Sequence, residues 1–330
     1  MIHSYKRMMN RLKIETTISA CLLAMMFFSC TTSDKVPSKD FVDYVNPYIG
    51  NISHLLVPTY PTVHLPNSML RVYPERGDFT SDRINGLPVV VTSHRGSSAF
   101  NLSPVQGDVS RPVVSYSYDL EKITPYSYSV YLDEDDIQVD YAPSHQAGIY
   151  HISFHTEGDN ALVINTRNGM LATEENGVSG YQIIDNTPTK IYLYLETSQS
   201  PVKKGVLTEG KVDTERQEGK TISLFYGTES KLDVRYGISF ISAEQAKKNL
   251  QRDITTYDVK AVADAGRKIW NETLGKITVE GGSEDEKEIF YTSLYRTYER
   301  MINISEDGKY YSAFAVSYTH LRAHETRHDL

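Results

Sequence analysis

The chain has 330 residues, 40% hydrophobic and 23% charged, a composition that excludes a wholly disordered polymer and leaves room for two ordinary domains. Lys plus Arg number 34 against 42 for Asp plus Glu, a net charge of −8. With no basic stripe in its body, the chain is not expected to bind nucleic acid, whose phosphates demand clustered cations.

Residues 1–30 read as a lipoprotein-type signal peptide. Lys6, Arg7, Arg11 and Lys13 precede the apolar run TTISACLLAMMFFSC, which is too short to span a bilayer. The run closes on Cys30, preceded by Phe28 and Ser29, and so resembles the bacterial lipoprotein signal, in which Cys30 becomes the lipidated first residue. Cys21 fits the same pattern more loosely, and an ordinary signal peptide that happens to end in Cys is the alternative. The expectation is an exported chain, periplasmic or at the cell surface, held to a bacterial membrane through Cys30. Both cysteines lie in this segment, so the mature body has neither disulfide nor thiol site. A polar linker, residues 31–40, follows.

Residues 41–242 alternate apolar with polar or aromatic side chains in run after run. The stretches VVSYSYDL, SYSVYL, IQVDYA, GIYHISFHT, ALVINTR, YQII, KIYLYLET, TISLFYG and LDVRYGISFI are separated by turn formers such as EGDN and NTPT. Tyr, at 24 residues against 10 Phe and one Trp, adds to the strand signal. Short strands at this spacing, with no helical pattern between them, predict an antiparallel β-sandwich. The acidic run Asp133–Asp136 lacks the spaced ligands of a calcium loop and reads as a solvated hairpin turn.

The period changes at Ala243. Val259, Val262, Ala263, Gly266, Ile269 and Trp270 recur at helical spacing, and a strand-like KITVEGG follows, so residues 243–282 are read as a linker helix and short strand. Ser283 and Glu286 then form a capping box that opens a further helix. Phe290, Leu294, Tyr298 and Met301 make its apolar face beside Tyr291 and Tyr295, and core is the reading for that aromatic stripe. Fewer than thirty residues remain to cover it, so the chain reads as the beginning of something larger.

VNPYIGNISH resembles the opening of glycoside hydrolase family 92, the calcium-dependent exo-acting α-mannosidases. His54 falls where that family carries a loop His, although Ile52 and Ser53 stand in place of glycines. PNSMLRVYP runs in register with the family's P-F-G-M-x-x-x-x-P, keeping Met69 and Pro74, and TSHRGSS places His94 where a family strand ends in F-S-H. WNETLGKITVEGGSEDEKEIFYTSLYRTYERM is similar to the family's linker helix, short strand and first barrel helix. The resemblance covers about residues 41–314. It implies a mainly β fold: an antiparallel sandwich, then the linker helix, then the first helix of a truncated (α/α)6 barrel over 283–314. It implies a glycoside hydrolase that inverts at the anomeric carbon, with paired carboxylates and calcium ligands supplied by barrel sequence downstream of residue 314. The chain alone is then inactive. His54, His94 and Arg95 are the expected sugar-binding residues, as hydrogen-bond donors at the edge of the glycan pocket; polar loop residues at a domain interface are the alternative for them. A stand-alone carbohydrate-binding lipoprotein is the alternative for the whole chain.

Residues 315–330 read as a non-native tail. From Ser317 they resemble a run found at the ends of unrelated sequences, similar to adapter DNA translated in one frame. HETRH within it matches H-E-x-x-H, with His324 and His328 as zinc ligands and Glu325 as base. A third ligand normally follows the second His, and only Asp329 and Leu330 remain. His320 lies on the same helix face and diverges from the other two. Zinc chemistry is not the expectation.

Overall fold

The computed structural model describes residues 39–50, 59–77, 81–92, 98–184 and 187–312, with the backbone of 317–320. Contacts divide the chain into Met1–Lys39 and Asp40–Leu330, and the strands and helices of the described residues belong to the second unit.

Period-two alternation decides which side of each strand leaves water. All nine alternating runs form strands, and every pairing among the described residues is antiparallel. A ten-stranded sheet runs, in order, through Glu218–Gly219, Gly169–Thr173, Gly177–Ile183, Lys190–Thr197, Lys231–Ser239, Ala147–Phe154, Ile137–Pro143, Ser127–Leu132, Ser115–Thr124 and Arg83–Asn85. A six-stranded sheet runs through Lys211–Asp213, Lys203–Thr208, Thr221–Gly227, Asn160–Thr166, Phe100–Gln106 and Leu87–Pro88. The register aligns Val130, Val139, Ile152 and Leu232 across four strands of the larger sheet. Leu102, Ile164, Ile222 and Val206 align across four strands of the smaller. All eight are buried in one cluster between the sheets, each contributing roughly 1.5–3 kcal/mol through burial. The fold is a mainly β antiparallel sandwich followed by helices.

Phe100–Gln106 escaped the sequence reading because Pro104 interrupts it. Pro is tolerated there because the neighbouring strand Leu87–Pro88 pairs only with Leu102 and Asn101, so position 104 faces an open edge. Several tyrosines act as struts between the layers. Tyr116 donates to the Pro104 carbonyl at 2.7 Å, Tyr150 to Pro88 at 2.6 Å and Tyr236 to Val89 at 2.7 Å. Buried hydroxyls need such partners, and these carbonyls supply them.

Three helices follow: α1 (Ala243–Asp253), α2 (Val259–Leu274) and α3 (Glu284–Thr297). Their N-caps are Ser242, Asp258 and Ser283, each accepting from the backbone N–H three residues on. Ser283 and Glu286 form the expected capping box. The expected single linker helix is two helices, separated where Arg235 takes the carbonyl of buried Ile254 and Asp258 starts a new cap. The expected short strand at 276–282 is also absent: this stretch has no β partner. The Tyr291 hydroxyl serves its backbone instead, donating to the Ile277 carbonyl at 3.1 Å and accepting from Val279 N–H at 3.4 Å.

Helices α1 and α2 cover the outer face of the larger sheet, burying Ala142, Ala147, Ile149, Ala246 and Leu250. Gly237 permits the approach, since a Cβ there would lie 2.2 Å from the Ala246 carbonyl oxygen. The face of α3 differs from expectation. Tyr291 and Tyr295 are the buried residues, packed with Trp270, Leu274, Val42 and Leu65, while Phe290, Leu294 and Tyr298 are only partly covered. Met301 lies beyond the helix and is 85% exposed. The inner face of α3 therefore has partners within this chain.

Candidate functional site

His54, His94 and Arg95 lie in segments 51–58 and 93–97, outside the described residues, as do Cys30, His324, Glu325 and His328. The residues flanking both segments are described.

The first loop leaves from VNPYIG, and this motif is a docking strip for α3. Asn46 donates from Nδ2 to Glu288 at 2.8 Å and from its backbone N–H to the Thr292 hydroxyl at 3.0 Å. The Arg296 guanidinium reaches the carbonyls of Pro47 at 2.7 Å, of Ile49 at 3.3 Å and of Tyr60. Thr59 donates to the Ile49 carbonyl at 2.9 Å and closes the loop base. Gly50 sits at φ +92, where a Cβ would lie 2.0 Å from the Thr59 hydroxyl, so only glycine fits.

Segment 59–64 then enters an aromatic cluster. Tyr295 accepts from the Thr62 hydroxyl at 2.8 Å and donates to the Thr62 carbonyl at 2.5 Å, and Trp270 donates to the His64 carbonyl at 2.7 Å. The His64 ring stacks on Tyr295 and meets Trp270 edge-on. Burial pushes its pKa down to about 4, so the imidazole is neutral at pH 7 and donates from Nδ1 to the Leu65 carbonyl at 2.9 Å. Buried and walled by rings, His64 is a packing residue.

PNSMLRVYP, the second motif of the family resemblance, receives the end of α3. Asn67 N–H donates to the Tyr298 carbonyl at 2.9 Å, its side chain to Met301 at 2.8 Å, and its own carbonyl accepts from Asn303 at 2.9 Å. Arg71, 3% exposed, pairs with Glu299 at 2.8 Å. Burial lowers the Arg71 pKa while Glu299 opposes the shift. Further along, buried Glu306 accepts from Phe240 N–H at 2.9 Å and Asn249 Nδ2 at 2.7 Å, clipping segment 302–308 to α1 and the larger sheet.

The described residues on either side of segment 93–97 are held by hydrogen bonds. Tyr150 and Tyr236 hold Pro88 and Val89 on one side. On the other, the Ser98 hydroxyl accepts from Val89 N–H at 2.8 Å and donates to the Phe100 carbonyl. Glu75 accepts from Ser98 N–H at 3.1 Å, and Arg167 donates to the Ser98 carbonyl at 2.6 Å. Glu75 and Arg167 line a cleft of about 140 Å³ with Asn101 and Asn165. That is below the ~300–1,000 Å³ of a small-molecule pocket, so it offers an edge to a ligand and not an enclosure. An acceptor and a donor side by side suit a hydroxyl group. The sequence reading missed both residues; the only signal was Glu75 standing directly after the motif's Pro74 and Arg167 closing the predicted strand ALVINTR.

The described residues do not fit calcium. None of their His, Cys, Asp and Glu side chains form a cluster of three or more able to hold a metal. Within Asp133–Asp136, Glu134 is engaged by Arg83 through two bonds of 2.9 Å, and Asp136 by the Tyr131 hydroxyl. Burial raises the pKa of Asp135. The run is a hairpin turn, as expected. Elsewhere, Ser153, His151 and Asp233 form a hydrogen-bonded line, with 3.1 Å from the Ser hydroxyl to Nε2 and 2.5 Å from Nδ1 to the carboxylate. It lies mid-strand, where the backbone N–H groups are spent in ladders on both sides. No oxyanion donors remain, so the line sets the charge of His151 and does not make a nucleophile.

The glycosyl hydrolase family 92 N-terminal domain matches residues 44–239, and the family 92 catalytic domain matches 245–327. The chain belongs to glycoside hydrolase family 92. The catalytic-domain match begins within α1, ahead of residue 283 where the sequence reading set the barrel. The family 92 inverting mannosidase BT2199 of Bacteroides thetaiotaomicron VPI-5482 superposes with a TM-score of 0.75 at 25% identity, covering 86% of this chain and 43% of its own. The α-mannosidase BT3965 of the same species superposes at 0.76 with 18% identity over 86% of this chain and 44% of its own, and has also been solved with mannoimidazole. No curated protein matches. This family 92 chain thus spans less than half the length of the solved structures it resembles.

Proposed function

We propose that this chain is the sandwich and helical junction of an inverting, calcium-dependent exo-α-mannosidase that acts on glycans. The observation that carries the proposal is the superposition on BT2199, an inverting mannosidase, at a TM-score of 0.75 over 86% of the chain. Two of the motifs at which the sequence resembles the family, 45–50 and 66–74, are the strips that hold α3 and the segment after it. Inversion needs an acid on the leaving oxygen and a base on water across the sugar, with roughly 6.5–9.5 Å between the two carboxyl groups. We assign that pair, and the calcium ligands, to the portion of the relatives that this chain does not span. The sandwich contributes the pocket edge: His54, His94 and Arg95 donate to sugar hydroxyls. Cys30 carries a lipid anchor, and the exported protein works at a membrane surface.

The test begins by reading the source locus past codon 315. If the frame continues for several hundred codons, its product should release mannose from α-mannosides with inverted anomeric configuration, followed by NMR, and the 330-residue chain should release none. Release by the 330-residue chain itself, or a product of the longer frame that is inert on α-mannosides, would overturn the assignment. One observation favours the alternative of a stand-alone carbohydrate-binding lipoprotein: the inner face of α3 is already covered by Trp270, Leu274 and Val42. In that case a stop codon follows Leu330, and the purified chain melts cooperatively and binds glycan without cleaving it.

A further inference from the structure

Helices α1 and α2 pack on the larger sheet. The outer face of the smaller sheet has its own apolar cluster, Val105, Val109, Ala161, Val163 and Leu207, roofed by segment 107–114 and by the hairpin of Lys203–Thr208 and Lys211–Asp213. Between that segment and the hairpin opens a cleft of about 510 Å³, inside the ~300–1,000 Å³ range of small-molecule sites. Its floor holds Phe225, whose ring packs on the apolar cluster below and has the Lys203 ammonium 5.1 Å from its centroid. Asp108, Asp159 and Lys211, all exposed, complete the charged wall, and Val202, 76% exposed, stands at the rim.

Two carboxylates and two ammonium groups in one cleft discriminate by charge. With two charges of each sign the cleft has no net charge, so its overall field draws in neither an anion nor a cation. A neutral polyhydroxylated ligand meets no repulsion, because its hydroxyls donate to the carboxylates and accept from the ammonium groups. The Phe225 ring supplies an apolar surface for the C–H face of a pyranose, and the long stem of Lys203 lets its ammonium leave the ring for a hydroxyl. The geometry points to a non-catalytic binding site for neutral glycan in this cleft. The site stands independently of the mannosidase reading; only the choice of α-mannan as the first probe rests on that reading.

The test is affinity electrophoresis of the full chain through gels containing α-mannan, a neutral β-glucan, polygalacturonate or chitosan. Retardation by α-mannan is expected, weakened about tenfold or more in Asp108→Ala/Asp159→Ala and in Phe225→Leu. The melting temperature of the aspartate double variant should be unchanged, since both side chains are exposed. Retardation by the β-glucan and not α-mannan, with the same loss in the variants, supports the cleft and counts against mannose as the sugar. Retardation by no neutral glycan, equal retardation of wild type and variants, or stronger retardation by polygalacturonate or chitosan would overturn the site.

Discussion

Between the sheets, Val130, Val139, Ile152 and Leu232 make one apolar row across four adjacent strands. Around α3 the holding is done by Asn46, Asn67, Arg71 and Arg296, reaching side chains and carbonyls more than two hundred residues away in sequence. The sandwich is thus built from many interchangeable apolar contacts, each non-directional. The junction adds to its aromatic cluster around Trp270 a few contacts that each have a fixed donor, acceptor and distance. A sandwich position tolerates another hydrophobe of similar volume, whereas a junction position leaves a buried group unpaired when its partner changes.

Four changes probe this contrast, and the first has the largest effect. Trp270→Ala removes the ring at the centre of the junction cluster and the donor to the His64 carbonyl. It should cost about 3–5 kcal/mol, read by urea unfolding followed with circular dichroism, against about 2–5 kcal/mol for Leu162→Ala in the sandwich. A cost below that of Leu162→Ala would show that the junction is not a second core. Next, Glu299→Ala leaves the buried Arg71 guanidinium without its carboxylate and should cost about 3 kcal/mol. Restoring the loss with Arg71→Met in the same chain would identify the unpaired charge as the cause.

The third contrast is in pH. His64 is buried, and its pKa falls from 6.5 to about 4. Its depressed value means that the unfolded chain binds the extra proton, so stability is full above pH 6.5 and declines as pH falls toward 4, by roughly 3 kcal/mol. On the strand surface, the Asp233 carboxylate raises the pKa of His151. That contribution has the opposite sign: it is present below pH 6.5 and disappears as pH rises through the raised folded value. His64→Gln should flatten the acid limb, and Asp233→Asn the other; stability–pH profiles of the two variants check both signs. The smallest change is Ser283→Ala, which removes the α3 capping box and should lower stability by about 1 kcal/mol. If α3 is held mainly by its packed face, the melt stays single and only its midpoint moves.

Legibility from sequence followed the same division. Each of the nine alternating runs became a strand because period two acts locally and both faces of a strand declare themselves within a few residues. The capping box at Ser283 was legible for the same reason. The face of α3 was not: Phe290, Leu294, Tyr298 and Met301 form as regular a stripe as Tyr291 and Tyr295, and what lies beside the helix chose between them. KITVEGG had strand composition but met no strand, because the Tyr291 hydroxyl was closer to its backbone groups. Glu75 and Arg167, 92 residues apart, come together directly at 3.5 Å and through Ser98, and no local pattern marks either one.

Taken alone, the amino-acid sequence determined a mainly β antiparallel sandwich, the change to helices at Ala243, and the family, the last through its opening motif, PNSMLRVYP, TSHRGSS and the junction segment. It did so because alternation, capping and turn chemistry are near-neighbour effects. The tertiary structure decided what two of those motifs are for: 45–50 and 66–74 are where α3 and its sequel attach. It also decided which aromatic face is buried and that His64 is neutral and structural. These depend on contacts between distant segments, whose strength is set by burial and geometry that no window of sequence contains.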